Sequence, residues 1–290
     1  MQFKGTGVAL VTPFLSNGEV DEKGLRKLVD YQVENGTDFL VVQGTTGEAA
    51  TLTSDEKERV LAIVIDQNAK RLPVVLGMGG NNTAEVADAM EHFSNDGVDG
   101  FLSASPHYNK PSQRGIIEHF KVLSNASKLP IILYNVPGRT GSNMTASTTL
   151  ELSKLENIVA VKEASGDLEQ VMTIIKDAPS DFAILSGEDA LTMPMIAAGA
   201  HGVISVVANA LPKRFSTMVN ASVAGDLNLA RKNHYDLLDV TGLFFAEGNP
   251  AGIKVALDAA GICGSTLRLP LFEVSAELRK KINTEMSKLV

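Results

Sequence analysis

Two short stretches end apolar runs on reactive side chains. "IILYNVPGRTG" at 131–141 delivers Tyr134 and then Arg139, and "IVAVKEAS" at 158–165 delivers Lys162 directly after Val159, Ala160 and Val161. Burying an amine favours its neutral form, which attacks carbonyl carbon and forms a Schiff base. A phenol one strand away could pass protons during imine formation, above all with a hydroxyl partner such as Thr45. Arg139 offers a two-pronged donor to a carboxylate. The glycine-flanked "GTTGE" at 44–48 could hold another carboxylate with backbone N–H groups and the hydroxyls of Thr45 and Thr46. Taken singly, a strand-end lysine is usually a solvated charge and a tyrosine a core filler. Their joint placement suggests an amine that condenses with a small carbonyl acid. Glu163 alternates to the opposite face from Lys162 and is expected in a structural ion pair.

Such placement needs a scaffold that stops many strands on one rim. Eight apolar, β-branched runs recur, at 7–13, 39–44, 73–79, 100–106, 130–137, 158–165, 182–189 and 202–209. Their hydrophobicity is continuous rather than alternating, as in parallel strands buried on both faces. Between them lie amphipathic helical segments. One opens with Thr53 and Glu56 at capping-box spacing and gathers Val60, Ile63 and Val64 on one face. Another repeats its apolar residues at Ile116, Phe120 and Leu123. Strand and helix alternating eight times predict an α/β fold, a (β/α)₈ TIM barrel, over an open doubly wound sheet, which seldom reaches eight such units. In such a barrel the loops after the strands carry the chemistry, and "GTTGE", "SPHYNKP", "YNVPGRTG" and "KEASGD" all fall there. The remaining residues read as a helical C-terminal extension, giving a barrel over 1–224 and an extension over 225–290.

Bulk properties exclude several classes. The 290 residues are 44% hydrophobic and 21% charged, with a net charge of −8. That balance suits a globular core and argues against a broad nucleic-acid footprint, which needs clustered Lys and Arg. No apolar run has the length of a membrane span, and the start, "MQFKGTGVAL", lacks a signal-peptide layout. The single cysteine, Cys263, fits a reducing compartment, and the expected location is the cytoplasm. There is no P-loop and no GxSxG elbow; "GMGGNN" matches only the first glycines of GxGxxG, and the five histidines lack metal-ligand spacing. Nothing in the sequence demands a cofactor or a metal.

"GTTGE", "SPHYNKPSQ", "LYNVPGRTG", "VKEASGD", "LSGEDA" and "GVISV" appear in order across nearly the whole barrel. In these motifs the chain closely resembles the dihydrodipicolinate synthase family. The resemblance implies that Lys162 condenses with pyruvate, that Tyr134 relays protons beside it, and that Thr45 links this phenol to Tyr108 of a neighbouring subunit. It further implies that Thr46 contacts the pyruvate carboxylate, Arg139 receives the carboxylate of aspartate semialdehyde, and Gly187 and the carbonyl of Ile204 line the pocket. The implied assembly is a homotetramer of two tight dimers. A sister aldolase, such as N-acetylneuraminate lyase or a 2-keto-3-deoxy sugar-acid aldolase, shares the lysine and tyrosine; Thr45–Thr46 and Gly138–Arg139–Thr140 argue against it. A catalytically silent keto-acid sensor would normally have lost one member of the relay. Family members inhibited by lysine bind it near positions matched here by Ala50, Asn81, Glu85 and His107. Here Lys57 and Ser54 replace two histidines usual in the inhibited enzymes, and His107 replaces a tyrosine, so weak or absent inhibition is expected.

Overall fold

The computed structural model describes residues 2–94 and 96–289. Eight strands follow the chain: β1 (Gly5–Ala9), β2 (Phe39–Val42), β3 (Val74–Gly77), β4 (Gly100–Ala104), β5 (Ile131–Asn135), β6 (Ile158–Glu163), β7 (Ala183–Ser186) and β8 (Gly202–Ser205). Each pairs in parallel with its sequence neighbour, and β8 closes on β1 through Gly5↔Gly202 to Val8↔Ser205. This is a closed (β/α)₈ barrel. The first run stops earlier than its hydrophobicity predicts, at Ala9. Leu10 N still donates to Val41 O at 3.0 Å, and beyond it the side-chain amide of Asn209 takes over, accepting from Val11 N at 3.1 Å and donating to Ala9 O at 2.8 Å.

The helices between strands are α1 (Glu22–Glu34), α2 (Ser54–Asn68), α3 (Thr83–Glu91), α4 (Gln113–Ala126), α5 (Pro137–Thr140), α6 (Ala146–Leu152), α7 (Leu168–Asp177) and α8 (Thr192–Ala197). After β8 come α9 (Pro212–Val223), α10 (Leu227–Phe245), α11 (Ala251–Ala259) and α12 (Ala276–Leu289). Side chains cap several of these starts, among them the one the sequence indicates at Thr53. Thr53 and Glu56 form the full reciprocal capping box of α2, and Asp167 accepts from two N–H groups at the head of α7.

Alternation along the strands divides the core in two. Phe39, Val41, Val75, Ile132, Tyr134, Ala160 and Leu185 pack inside the barrel, whereas Leu40, Leu76, Leu133, Val161 and Ile184 pack against the helices. Gly7 makes room for the interior ring of Phe39: a Cβ there would lie 2.2 Å from the ring's Cζ.

Candidate active site

Tyr134 and Lys162 are register partners across β5 and β6, so both side chains enter the barrel at one height. They are 8% and 5% exposed, and Lys162 Nζ lies 4.4 Å from the centre of the Tyr134 ring. No carboxylate forms an ion pair with Lys162 among the described residues. The neighbours on the same strands face outward. Glu163 meets no cation there, contrary to the ion pair expected from the sequence. Its carboxylate instead accepts from Asn135 Nδ2 at 3.1 and 3.0 Å, Ser165 N at 2.8 Å and Gln170 Nε2 at 3.1 Å. Burial raises its pKa, and these neutral donors oppose the rise.

The strand ends surround a cavity of about 350 Å³ lined by Thr45, Thr46, Tyr134, Arg139, Lys162 and Gly187, with Glu188 and Asn249. Glycine at 187 is a steric requirement: a Cβ would lie 2.6 Å from Ala164 Cβ and 3.2 Å from Lys162 Cε. Arg139 is carried by the one-turn α5, which Thr140 secures through Oγ1 to the Val136 and Ser142 carbonyls. Its guanidinium is exposed at the cavity mouth, and no carboxylate pairs with it among the described residues. Ile204 is fully buried within the barrel, while Val206 supplies the lining on that side.

Thr45 and Thr46 sit in a single helical turn, Thr45–Gly47, after β2. Thr46 is buried and accepts at Oγ1 from Asn249 Nδ2 at 2.9 Å, whereas Thr45 is exposed. No hydrogen bond joins Thr45 to Tyr134 among the described residues. Glu48 closes the turn in a left-handed conformation, φ 51°, and is itself buried. Its carboxylate meets Lys254 Nζ of α11 at 2.5 Å and Arg268 N at 3.1 Å. Arg268 also reaches the Gly18 and Thr51 carbonyls and Glu56. The C-terminal extension therefore grips the threonine turn.

Sequence reasoning missed Glu188 and Asn249. "LSGEDA" contains the signal for Glu188, an acid directly after the glycine that follows β7. Burial raises its pKa and neighbouring Asp189 adds to this, while Lys162 and Arg139 pull it down. Asp189 is buried and anchors the rim by accepting from Ser205 Oγ, Val206 N and Val207 N.

A second cavity, of about 640 Å³, adjoins the first through Thr45, Tyr134, Arg139 and Asn249, and is also lined by Ala50, Lys57 and His107. Asn81 exchanges two hydrogen bonds with the His107 backbone, at 2.8 and 2.9 Å. Glu85 lies exposed in the first turn of α3 and does not line this space, and Ser54 is exposed at the start of α2. Tyr108 lies outside both cavities: it is 88% exposed, with φ +65°.

The barrel that carries this enclosed lysine and phenol is similar to known proteins over the full chain. The family model described as the dihydrodipicolinate synthetase family matches residues 2–289. A 4-hydroxy-tetrahydrodipicolinate synthase from Parabacteroides distasonis is 48% identical over 290 residues, covering 100% of this chain and 98% of the relative. The crystal structure of dihydrodipicolinate synthase from Aquifex aeolicus superposes with a TM-score of 0.94 at 42% identity, covering 99% of this chain and 98% of the other. A chloride-inhibited dihydrodipicolinate synthase from Acinetobacter baumannii, complexed with pyruvate, gives 0.95 at 36%, covering 99% of each chain. Since these matches run from the first strand to the last helix and take in every strand end of the cavity, the chain belongs to the dihydrodipicolinate synthetase family.

Proposed function

We propose that this chain condenses pyruvate with L-aspartate 4-semialdehyde to give 4-hydroxy-tetrahydrodipicolinate, in the diaminopimelate route to lysine. The observation that carries the reading is Lys162, an amine 5% exposed, paired with no carboxylate among the described residues, facing a phenol inside a cavity of small-molecule size. The Lys162 amine adds to the keto carbon of pyruvate, and the carbinolamine loses water to give the imine. Loss of a methyl proton makes the enamine, whose carbon attacks the aldehyde. The product's amine then adds to the imine carbon, closes the ring and expels Lys162. The protein's work is to hold both carbonyls near one amine and to move protons.

In this scheme Tyr134 carries protons at Lys162, with Thr45 as its hydroxyl partner. Thr46 holds the pyruvate carboxylate, and Arg139 the carboxylate of the aldehyde. Tyr108 completes the relay from a second subunit, which its exposure on the monomer supports, and the assembly is a homotetramer of tight dimers. Leu269 and Phe272, each 76% exposed, are apolar surface suited to such association. Mixing Tyr108→Phe with Lys162→Ala chains then restores activity after subunit exchange; persistent inactivity despite exchange places Tyr108 in its own site. No helix among the described residues is long and apolar enough to cross a membrane, and the enzyme works in the cytoplasm.

Borohydride reduction with pyruvate tests the core of the reading. One pyruvyl-derived adduct forms per chain and maps to Lys162, and Lys162→Arg abolishes it, because guanidinium does not ionise to a nucleophile. Labelling elsewhere, or none, overturns the mechanism. A coupled assay with aspartate semialdehyde and with N-acetylmannosamine separates this activity from a sister aldolase.

A further inference from the structure

Asn249 lies in the link between α10 and α11, outside the eight strand–helix units, yet it lines the Lys162 cavity. It is 7% exposed, its Nδ2 donates to Thr46 Oγ1 at 2.9 Å, and its Oδ1 has no hydrogen-bond partner among the described residues. The link is anchored: further along, Lys254 is buried against Glu48. One stretch of chain thus holds both Thr46 and the residue that closes its turn.

The chemistry of an amide N–H fixes the role of the hydroxyl. Nδ2 can only donate, so Thr46 Oγ1 accepts on that side and its own O–H remains a donor. No protein acceptor takes that proton among the described residues, and Thr46 lines the cavity. A buried oxygen without a donor is unfavourable, and a bound molecule that supplies one removes the penalty. Asn249 therefore presents the site with a donor through Thr46 and an acceptor of its own.

We propose that Asn249 is a positioning residue for the keto acid: it commits the Thr46 hydroxyl to donate to the substrate carboxylate, and its Oδ1 accepts from an O–H or N–H of the Lys162 adduct. The same oxygen repels a carboxylate, so the acid group is confined to the threonine side of the cavity. This inference rests on the reading of Lys162 as the amine that condenses with pyruvate.

The test compares Asn249→Ala, Asn249→Asp, Thr46→Val and the Asn249→Ala/Thr46→Val pair. Each is read by the pyruvate dependence of borohydride trapping and by KM for each substrate separately. Asn249→Ala raises the half-saturating pyruvate concentration about tenfold, leaves the aldehyde KM unchanged, and adds little once Thr46 is valine. Asn249→Asp, nearly isosteric, raises it further, because its carboxylate takes the Thr46 proton and repels the substrate. Unchanged pyruvate dependence in Asn249→Asp overturns the inference, as do independent, multiplying effects of the Asn249→Ala and Thr46→Val changes. A parallel rise in both KM values with loss of thermal stability makes the role merely structural and also overturns it. If the parent protein traps no pyruvate at Lys162, the underlying reading falls too; if it traps normally and the variants do not differ, only the role of Asn249 falls.

Discussion

Replacing Lys254 by methionine tests how far the C-terminal extension stabilises the turn that carries Thr45 and Thr46. Lys254 Nζ and Glu48 Oε1 lie 2.5 Å apart with both side chains fully enclosed. The ammonium also donates to Thr266 O at 2.9 Å and sits 4.3 Å from the centre of the Phe14 ring. Burial lowers the Lys254 pKa, and Glu48 opposes that shift. Lys254→Met leaves the Glu48 carboxylate enclosed with the Arg268 N–H as its one hydrogen-bond donor among the described residues, and breaking a buried pair in this way costs about 3–5 kcal/mol. Unfolding entropy of about 2.1 cal/mol/K per residue, over 290 residues, converts this to a fall in Tm of about 5–8 °C. Glu48→Gln/Lys254→Met removes both charges at similar volume and recovers most of the loss. The assay is thermal unfolding of both single variants and the double variant, closed as a cycle, with pyruvate trapping measured alongside. A Lys254→Met protein melting within about 1 °C of the parent refutes the argument. So does a double variant whose loss equals the sum of the two single losses, since the pair would then not be coupled.

Arg139→Ala weakens use of aspartate semialdehyde by about tenfold to a hundredfold, the range for hydrogen bonds to a charged group, while pyruvate trapping persists; unchanged steady-state kinetics refutes it. Gly187→Ala displaces Lys162 or Ala164, because the new methyl lies 2.6 Å from Ala164 Cβ, and sharply slows trapping; a rate equal to the parent's shows that the site yields without cost. Arg268 holds the Glu56 carboxyl down at about 2, below its ordinary 4.5, so its stabilisation is present above about pH 4.5 and lost as pH falls toward 2. Glu56→Gln therefore lowers stability at neutral pH by no more than about 1 kcal/mol for this partly exposed pair, and its curve meets the parent's in acid. L-lysine at millimolar concentration inhibits weakly or not at all, because Lys57 brings a cation to the cavity shared with Ala50 and His107 while Glu85 stays outside. Inhibition at sub-millimolar lysine and saturating substrates refutes that reading.

The features legible in the sequence are those fixed by local periodicity. Tyr134 and Lys162 could be placed inside the barrel because strand alternation has period two and their outward neighbours, Leu133 and Val161, are apolar. The Thr53–Glu56 cap was legible because its hydrogen bonds join residues three apart. Glu163 was placed on the correct face but given the wrong partners, since alternation fixes direction and says nothing of what lies there. Its partners come from β5, α7 and the loop between β6 and α7, and all are neutral donors.

Asn249 and Lys254 lie beyond the reach of any local pattern: they meet Thr46 and Glu48 across 203 and 206 residues. In sequence "NPAGIKVALDAAG" is a short apolar helix whose lysine would ordinarily face water. Enclosure of that lysine requires a buried anion, and the anion is Glu48, which "GTTGE" already supplied without revealing its partner. A pattern that ends in a buried acid therefore carries information about another part of the chain. Here it locates the part of the extension that packs against the threonine turn, so that helices after the eighth strand support a cavity formed at the ends of the second, fifth and sixth.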